Sequence, residues 1–190
     1  MFKTLSFDRI FFLRTAIDRL MVLSVLFSIS LVIATYIYTG HLLFFFLIWN
    51  MFLACIPYGI SLWLLQRPDW IENRKLFIPA LLLWIAFIPN TFYILTDLFH
   101  LGSFPQLPSW FELILILSFA WNGMLLGILS VGHMEKILRL EAGDKTTIFF
   151  VYPIMFLNAL GVYIGRYLRF NSWDIITNPF QLFRDIVLMV

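Results

Sequence analysis

Four polar side chains, Asn90, Tyr93, Asp97 and His100, lie three or four residues apart in a stretch that is mainly apolar. At about 100° per residue they fall within an arc of roughly 80° on one face of a helix. A carboxylate and an imidazole at this spacing could act as general acid and base, or supply two ligands to a metal ion. The spacing therefore predicts a polar site on this face, which the other elements must position.

The composition indicates an integral membrane protein. Apolar residues make up 62% of the 190 residues and charged residues 13%, with a mean hydropathy of +0.91. A soluble domain is about half apolar and about one quarter charged. The length allows about five or six spans of ~20 residues, which leaves no room for a separate soluble domain. Cys55 is the single cysteine, so an intramolecular disulfide is excluded, and no nucleic-acid partner is expected.

The hydrophobic stretches predict an all-α polytopic membrane helix bundle with five spans and a partial sixth helix. Residues 1–19 mix apolar and charged side chains, which is typical of a cytoplasmic amphipathic surface helix or of a charged flank that orients the first span. Asn178-Pro179 predicts a short helix that lies at the interface or begins a sixth span. Within a single domain over 1–190, the spans are expected at about 20–38, 42–65, 76–98, 110–132 and 147–168, and the short helix at 179–190.

A few residues predict where the helices break, begin and end. Pro89-Asn90 interrupts the third span and predicts either a plain kink or a discontinuous helix whose second half points its N-terminus at an anion. Ser109 and Glu112 have the spacing of a capping box, which predicts the start of the fourth long helix. That helix is expected to continue past the membrane and to stop at Gly143.

Small and amide side chains within the spans predict contacts between helices. Gly123 and Gly127 are four residues apart, a spacing that lets a second helix approach closely, within the chain or in a homo-oligomer. Interhelical hydrogen bonds are expected from three asparagines, which are Asn50, Asn122 and Asn158.

Lys and Arg residues alternate between the loops. Four precede the first span, none follows it, three follow the second span, none follows the third and three follow the fourth. Because cytoplasmic loops carry an excess of Lys and Arg, this alternation predicts a cytoplasmic N-terminus. The ends of spans three and five are then expected at the outer face, together with the polar stripe.

A second group of polar side chains is expected at the same outer face. Tyr163, Arg166 and Arg169 lie three residues apart at the end of span five, and the two arginines oppose the orientation rule. The segment Asn171-Ser172-Trp173-Asp174 follows shortly after them. The sequence therefore predicts one ligand-binding site formed by Asn90, Tyr93, Asp97, His100, Tyr163, Arg166, Arg169, Asn171, Trp173 and Asp174.

Two long motifs carry a resemblance to a known family. Residues 87–101 are Phe-Ile-Pro-Asn-Thr-Phe-Tyr-Ile-Leu-Thr-Asp-Leu-Phe-His-Leu, and residues 161–174 are Gly-Val-Tyr-Ile-Gly-Arg-Tyr-Leu-Arg-Phe-Asn-Ser-Trp-Asp. Both resemble signatures of the bacterial membrane-protein family named domain of unknown function 1361, and residues 50–58 resemble a weaker one. The resemblance covers about residues 45–185. It implies a multi-pass bacterial membrane protein, which we expect in the cytoplasmic (inner) membrane, and it implies no activity. Family members continue into a fuller last span.

The predicted site has two chemical interpretations. Asp97 and His100 could be a catalytic acid and base, or could bind a metal ion with Asp174 as the third ligand. The commoner arrangement is an aspartate paired with an arginine and a histidine bonded to a loop carbonyl. Arg166 and Arg169 could clamp a phosphate or carboxylate, or could pair with the two aspartates in a structural lattice. No cofactor is indicated.

Three functions are consistent with these residues. The first is an envelope-side enzyme or a binder of an anionic lipid headgroup or lipid-linked substrate. The second is a non-catalytic assembly or scaffold subunit, in a homo-oligomer or with another membrane protein, whose charges lock the bundle. The third, a small transporter, has less support, because neither an internal repeat nor a continuous acidic or histidine path is evident.

Overall fold

The computed structural model describes residues 16–163 and Arg184, and these residues form an all-helical bundle. The predicted segment 179–190, apart from Arg184, and the first fifteen residues of the predicted surface segment lie outside the described part. Its last residues, from Ala16 on, belong to the first long helix. In chain order the helices are α1 (Ala16–Thr39), α2 (Phe45–Leu65), α3 (Pro68–Glu72), α4 (Arg74–Phe87), α5 (Pro89–Tyr93), a 3₁₀ helix (Ile94–His100), α6 (Ser109–Ala142) and α7 (Asp144–Tyr163).

Within the described residues, four helical segments are long and apolar enough to cross a membrane. They are Ala16–Thr39, Phe45–Leu65, Arg74–His100 and Ser109–Leu140, and a shorter apolar segment, Phe150–Leu160, lies in α7. The prediction of an all-α, multi-pass membrane protein is confirmed. The loop expected after the second span differs, because it contains the short helix α3, which begins at Pro68.

Hydrogen bonds between helices define the two ends of the bundle. Asp18 near the start of α1 contacts Tyr58 in the second half of α2, so these helices run antiparallel. Ser61 contacts His133, so α2 and α6 run in the same direction. We call the end where α1 begins and α6 ends the proximal end. The opposite end, where α2 and α6 begin, is the distal end.

Two groups of buried apolar side chains hold the bundle together by removing their surface from lipid and water into close packing. The first joins α1, α2, the 3₁₀ helix and α6, and it includes Phe44, Leu47, Met51, Ala54, Ile94, Leu115 and Phe119. The second lies toward the proximal end and includes Leu64, Phe77, Trp84, Met134, Ile137 and Ile154.

The third span changes its helical geometry at Pro89. Helix α4 ends at Phe87, and Ile88 keeps helical dihedral angles (φ −57°, ψ −33°), so the chain continues directly into α5. From Ile94 to His100 it is a 3₁₀ helix, in which residues three apart lie on one line. Thr91, Ile94 and Asp97 are all buried. This tighter winding turns Asp97 toward the bundle interior.

The close helix contact predicted at Gly123 and Gly127 is present within the chain. A Cβ atom on Gly127 would lie 2.5 Å from Thr91 Oγ1 and 2.9 Å from the Phe92 ring, and one on Gly123 would overlap the Ile94 side chain. The two glycines therefore let α6 lie directly against the third span, on the proximal side of Asp97. The predicted end of α6 is also confirmed, because Gly143 follows it with φ +81°.

Candidate functional site

Among the predicted site residues that the structure describes, Asp97 is the most deeply buried, at 2% exposure. Its Oδ2 accepts a hydrogen bond from Nδ2 of Asn50 in α2, at 2.8 Å. From the sequence, Asn50 was expected to form a hydrogen bond between helices, and it was not among the predicted ligand-binding residues. The structure brings these two residues together at one level, so an amide on a neighbouring span holds the carboxylate in place.

The other members of the polar stripe have different surroundings. His100 is half-buried one 3₁₀ turn beyond Asp97, and its ring packs on Phe46 with centroids 5.3 Å apart. Asn90 donates to the carbonyl of Phe87 in its own span, at 3.0 Å, and is also half-buried. Tyr93 is half-buried. Asp97 and His100 thus lie on one line toward the distal end. Asn90 instead bonds to the backbone where α4 meets α5.

A loop covers the distal end next to this line. Glu112, in the first turn of α6, is 1% exposed, and its Oε2 accepts a hydrogen bond from the backbone N–H of Gly102 at 2.9 Å. Phe104 of the same loop packs on Phe44, with ring centroids 4.6 Å apart. The loop is therefore fixed to the bundle by one carboxylate and one aromatic contact.

The capping box predicted at Ser109 and Glu112 is wrong in its mechanism, although α6 does begin at Ser109. Pro108 is the N-cap residue and provides no side-chain cap. Glu112 reaches across to the loop, and its other oxygen, Oε1, has no hydrogen-bond partner within the described part of the chain. The sequence spacing was right for a cap, but the loop backbone competes successfully for the carboxylate.

The second half of the predicted site is only partly described. Tyr163 is exposed at the end of α7. Arg166, Arg169, Asn171, Trp173 and Asp174 lie outside the described residues, so their meeting with Asp97 stays a prediction. Over residues 16–163 and Arg184, no group of three or more His, Cys, Asp or Glu side chains could hold a metal ion. A metal site completed by Asp174 also stays a prediction.

Asparagine side chains join helices deeper in the bundle. Asn122 is fully buried, and its Nδ2 donates to Ser28 Oγ in α1 at 2.9 Å, which confirms the interhelical bond predicted for it. Asn158 is buried in α7. The Oδ1 atoms of both residues have no partner among the described residues.

A second buried polar cluster lies toward the proximal end, and the sequence analysis missed it. Tyr58 donates its hydroxyl to Oδ1 of Asp18, at 2.6 Å. The Tyr58 ring packs beside His133, with centroids 5.6 Å apart. Ser61 Oγ lies 3.3 Å from His133 Nδ1. We call Asp18, Tyr58, Ser61, Trp84, Ser130 and His133 the proximal cluster.

Ser130 connects the helices of the proximal cluster through three contacts. Trp84 Nε1 donates to Ser130 Oγ at 2.8 Å. Ser130 Oγ lies 2.9 Å from the carbonyl of Pro57 and 3.1 Å from Ser61 Oγ. The cluster thereby links four helices, because its side chains come from α1, α2, α4 and α6.

The sequence of this chain matches a known protein family. Residues 49–190 match the model of a family described as a protein of unknown function, DUF1361. The chain belongs to the DUF1361 family. No curated protein and no solved structure matches it.

The DUF1361 match covers most of the polar residues described above. It includes Asn50 and Asp97 at the distal end, and Ser61 and His133 in the proximal cluster. Helix α1 precedes the match, so the partner that α1 supplies to the proximal cluster, Asp18, lies outside it.

The proximal cluster of this DUF1361 protein has only a weak sequence signal. Asp18 lies beside Arg19 and was interpreted as part of a charged flank, and single serines in apolar helices usually bond to their own backbone. The proline at position 57 gives no direct signal, because it frees the carbonyl of Leu53, whereas Ser130 bonds to the carbonyl of Pro57 itself.

Proposed function

We propose that this membrane protein binds an anionic lipid headgroup or a lipid-linked substrate at the distal end of its bundle, as an enzyme or as a binding protein. The observation that carries the proposal is the hydrogen bond from Asn50 to the buried Asp97. A carboxylate held by an amide from a second helix is fixed in position and direction before any ligand arrives, as binding and catalytic groups require.

His100 supplies a second titratable group at the entrance to this site. It lies one 3₁₀ turn nearer the loop than Asp97 and is only half-buried. In an enzyme, Asp97 and His100 would act as the acid and base, with His100 nearer to an arriving headgroup. In a binding protein the same two groups would orient a polar headgroup through hydrogen bonds.

Arg166 and Arg169 would provide the anion-binding part. Their spacing and their position after the fifth apolar stretch support a location near Asp97. Guanidinium groups match phosphate and carboxylate oxygens with two parallel hydrogen bonds, which favours them over lysine for this role. With the orientation expected from Lys and Arg, the site opens to the outer face.

A non-catalytic assembly role is the second candidate, and the proximal cluster favours it. There Tyr58 bonds to Asp18, and Ser130 bonds to Trp84, so buried polar groups in this bundle can serve to join helices. If Asp97 has only such a role, a charge-reversed pair, Asp97→Arg with Arg166→Asp, should restore folding that either single substitution removes.

Native mass spectrometry in mild detergent, with elemental analysis of the same sample, tests the proposal. The wild type is compared with Asp97→Asn, His100→Ala and Arg166→Ala. Asp69→Asn is the matched control, because it makes the same chemical change at an exposed residue of α3. The proposal expects a bound anionic lipid in the wild type and in the control, and its loss in the three site variants while they stay folded.

Two results would contradict this expectation. A wild-type protein without a bound anionic lipid, even after reconstitution with phosphatidylglycerol, would remove the binding function. Equal retention of phosphatidylglycerol by folded wild type and site variants would place lipid binding elsewhere on the protein. A metal that is lost only with Asp97→Asn or His100→Ala would instead support the metal interpretation.

A further inference from the structure

The two serine hydroxyl groups of the proximal cluster each have two acceptors within hydrogen-bond distance. Ser130 Oγ can donate to the Pro57 carbonyl at 2.9 Å or to Ser61 Oγ at 3.1 Å. Ser61 Oγ can donate to the Tyr58 carbonyl at 3.0 Å or to His133 Nδ1 at 3.3 Å. A serine hydroxyl carries one hydrogen, so each serine selects one acceptor at a time.

These choices give two complete hydrogen-bond arrangements. When the imidazole of His133 is neutral and carries its hydrogen on Nε2, Nδ1 is an acceptor: Trp84 donates to Ser130, Ser130 to Ser61, and Ser61 to Nδ1. Uptake of a proton then occurs at Nδ1. When Nδ1 carries a proton, the imidazole donates to Ser61, and the two serines donate to the carbonyls of Tyr58 and Pro57. Trp84 donates to Ser130 in both arrangements.

Neither arrangement leaves a hydroxyl, the imidazole Nδ1 or the indole N–H without a partner. A buried donor or acceptor that loses its partner is destabilising, so networks that satisfy only one protonation state resist a change of state. This network satisfies both states by rotating two hydroxyl groups, and no helix has to move.

The surroundings of His133 fit a group that exchanges protons with water. It is half-buried, and two residues later an exposed ion pair begins, in which Arg139 contacts Glu135 at 2.8 Å. Within the described residues, the charged groups acting on His133 are Asp18 from α1 and Lys136 of its own helix, and the titratable group packed on its ring is Tyr58 from α2.

We infer that the proximal cluster is a proton-binding site, in which His133 takes up the proton and Ser61 and Ser130 turn their hydroxyl groups to accommodate it. The ligand is a proton from the water at the proximal end. This site is separate from the distal site around Asp97 and does not depend on the proposed function. Trp84, at the far end of the hydroxyl chain, becomes a reporter of the protonation of His133.

A nuclear magnetic resonance titration of the full-length protein in detergent micelles tests this inference. The His133 ring signals are assigned with His133→Gln, and the Trp84 indole N–H signal is assigned with Trp84→Phe. Between about pH 5 and pH 8, where histidines commonly titrate, both signals should shift with the same midpoint. The exposed Trp121 of α6 is the internal reference and should not follow this midpoint.

Variants of the serines then show whether the hydroxyl chain carries the signal. In Ser130→Ala the His133 signal should still titrate, whereas the Trp84 signal should lose its matching shift. Ser118→Ala is the matched control, because Ser118 lies in the same helix and bonds to its own backbone at Leu115. That control should keep the wild-type coupling.

The wild-type titration alone can overturn the inference. A His133 signal that stays constant over this pH range would show that the cluster takes up no proton there. A His133 signal that titrates while Trp84 stays constant would show that the hydroxyl groups do not turn. Coupling that persists in Ser130→Ala would show that the signal reaches Trp84 by another route.

Discussion

Asn50 and Asp97 form the polar contact that decides how the distal site can work. The amide comes from α2 and the carboxylate from the 3₁₀ helix, 47 positions apart in sequence. The carboxylate is almost fully buried, so the Asn50 amide replaces part of the hydration that Asp97 would have in water. The contact therefore contributes to folding as well as to positioning, and substitution of Asn50 measures the first contribution.

We expect Asn50→Ala to destabilise the protein by about 1–3 kcal/mol, because a buried carboxylate loses a hydrogen-bond donor. Reversible unfolding in a detergent–denaturant mixture gives the free energy of unfolding. Ser30→Ala is the control, since Ser30 is exposed and donates only to the carbonyl of Phe27 in its own helix. Equal stability of Asn50→Ala and Ser30→Ala would mean that the amide does not hold the carboxylate.

At the level of single residues, the sequence showed some of the polar side chains within the spans but not which of them meet. The spacing of Asp97 and His100 was visible at once, and Asn50 was visible as a polar residue in a span. Their relative depth depends on the register between α2 and the third span, which local spacing does not contain. The 3₁₀ geometry after Pro89, which turns Asp97 inward, was not predictable from a pattern evaluated at 100° per residue.

Helix α6 lies against the third span where its side chains are smallest, at Gly123 and Gly127. Gly127 meets Thr91 and Phe92 so closely that a methyl group has no space. We expect Gly127→Ala to destabilise the bundle by about 1–3 kcal/mol through overpacking. The measurement is the midpoint of thermal unfolding in detergent.

Gly132 supplies the matched control in the same helix. A Cβ atom there would meet nothing within 4 Å. Gly132→Ala should leave the stability unchanged or raise it by up to about 1 kcal/mol, because alanine favours the helix. If Gly127→Ala behaves like Gly132→Ala, the third span does not lie against this face of α6.

The distal loop gives a second prediction at the level of elements. Glu112→Ala removes the acceptor of the Gly102 N–H, and we expect amide hydrogen exchange at residues 101–107 to become about tenfold faster or more. Glu112→Gln keeps an acceptor oxygen of the same reach, so it should retain most of the protection. Exchange that is equally fast in both variants would assign the anchoring to the negative charge rather than to the hydrogen bond.

The sequence predicted the elements themselves well, for reasons that are local. Apolar runs of spanning length, the interruption at Pro89 and the stop at Gly143 are properties of short segments. Among the described residues there are four segments of spanning length, a boundary between two helices at Pro89 and the stop at Gly143. The proximal cluster was missed because it joins residues from four helices. Asp18 joins the cluster by accepting a hydrogen bond from Tyr58, 40 positions away, and no short segment contains both residues.

For the molecule as a whole, the polar contacts form levels along the bundle. Glu112 lies near the distal surface, Asn50 with Asp97 and Asn122 with Ser28 lie deeper, and the proximal cluster lies toward the other end. Each level joins different helices, and α6 contributes to three of these contacts. Over residues 16–163 the interior therefore contains buried polar groups toward both ends.

The orientation of these two ends is a prediction for the whole molecule. The Lys and Arg pattern places the proximal end in the cytoplasm and the distal site outside. Single cysteines introduced into Cys55→Ala protein can test this at four exposed residues. Asp69→Cys and Lys136→Cys mark the proximal end, and His41→Cys and Ser103→Cys mark the distal end.

A maleimide that cannot cross membranes should label the two distal cysteines in sealed right-side-out vesicles and the two proximal ones only after permeabilisation. The Cys55→Ala protein without added cysteines gives the background. Labelling of the opposite pair in sealed vesicles would reverse the orientation and move the Asp97 site to the cytoplasmic side, where an outer-face headgroup could not reach it. Labelling of all four from one side would contradict the antiparallel order of the spans, because α2, the third span and α6 must each cross the membrane to separate the two pairs.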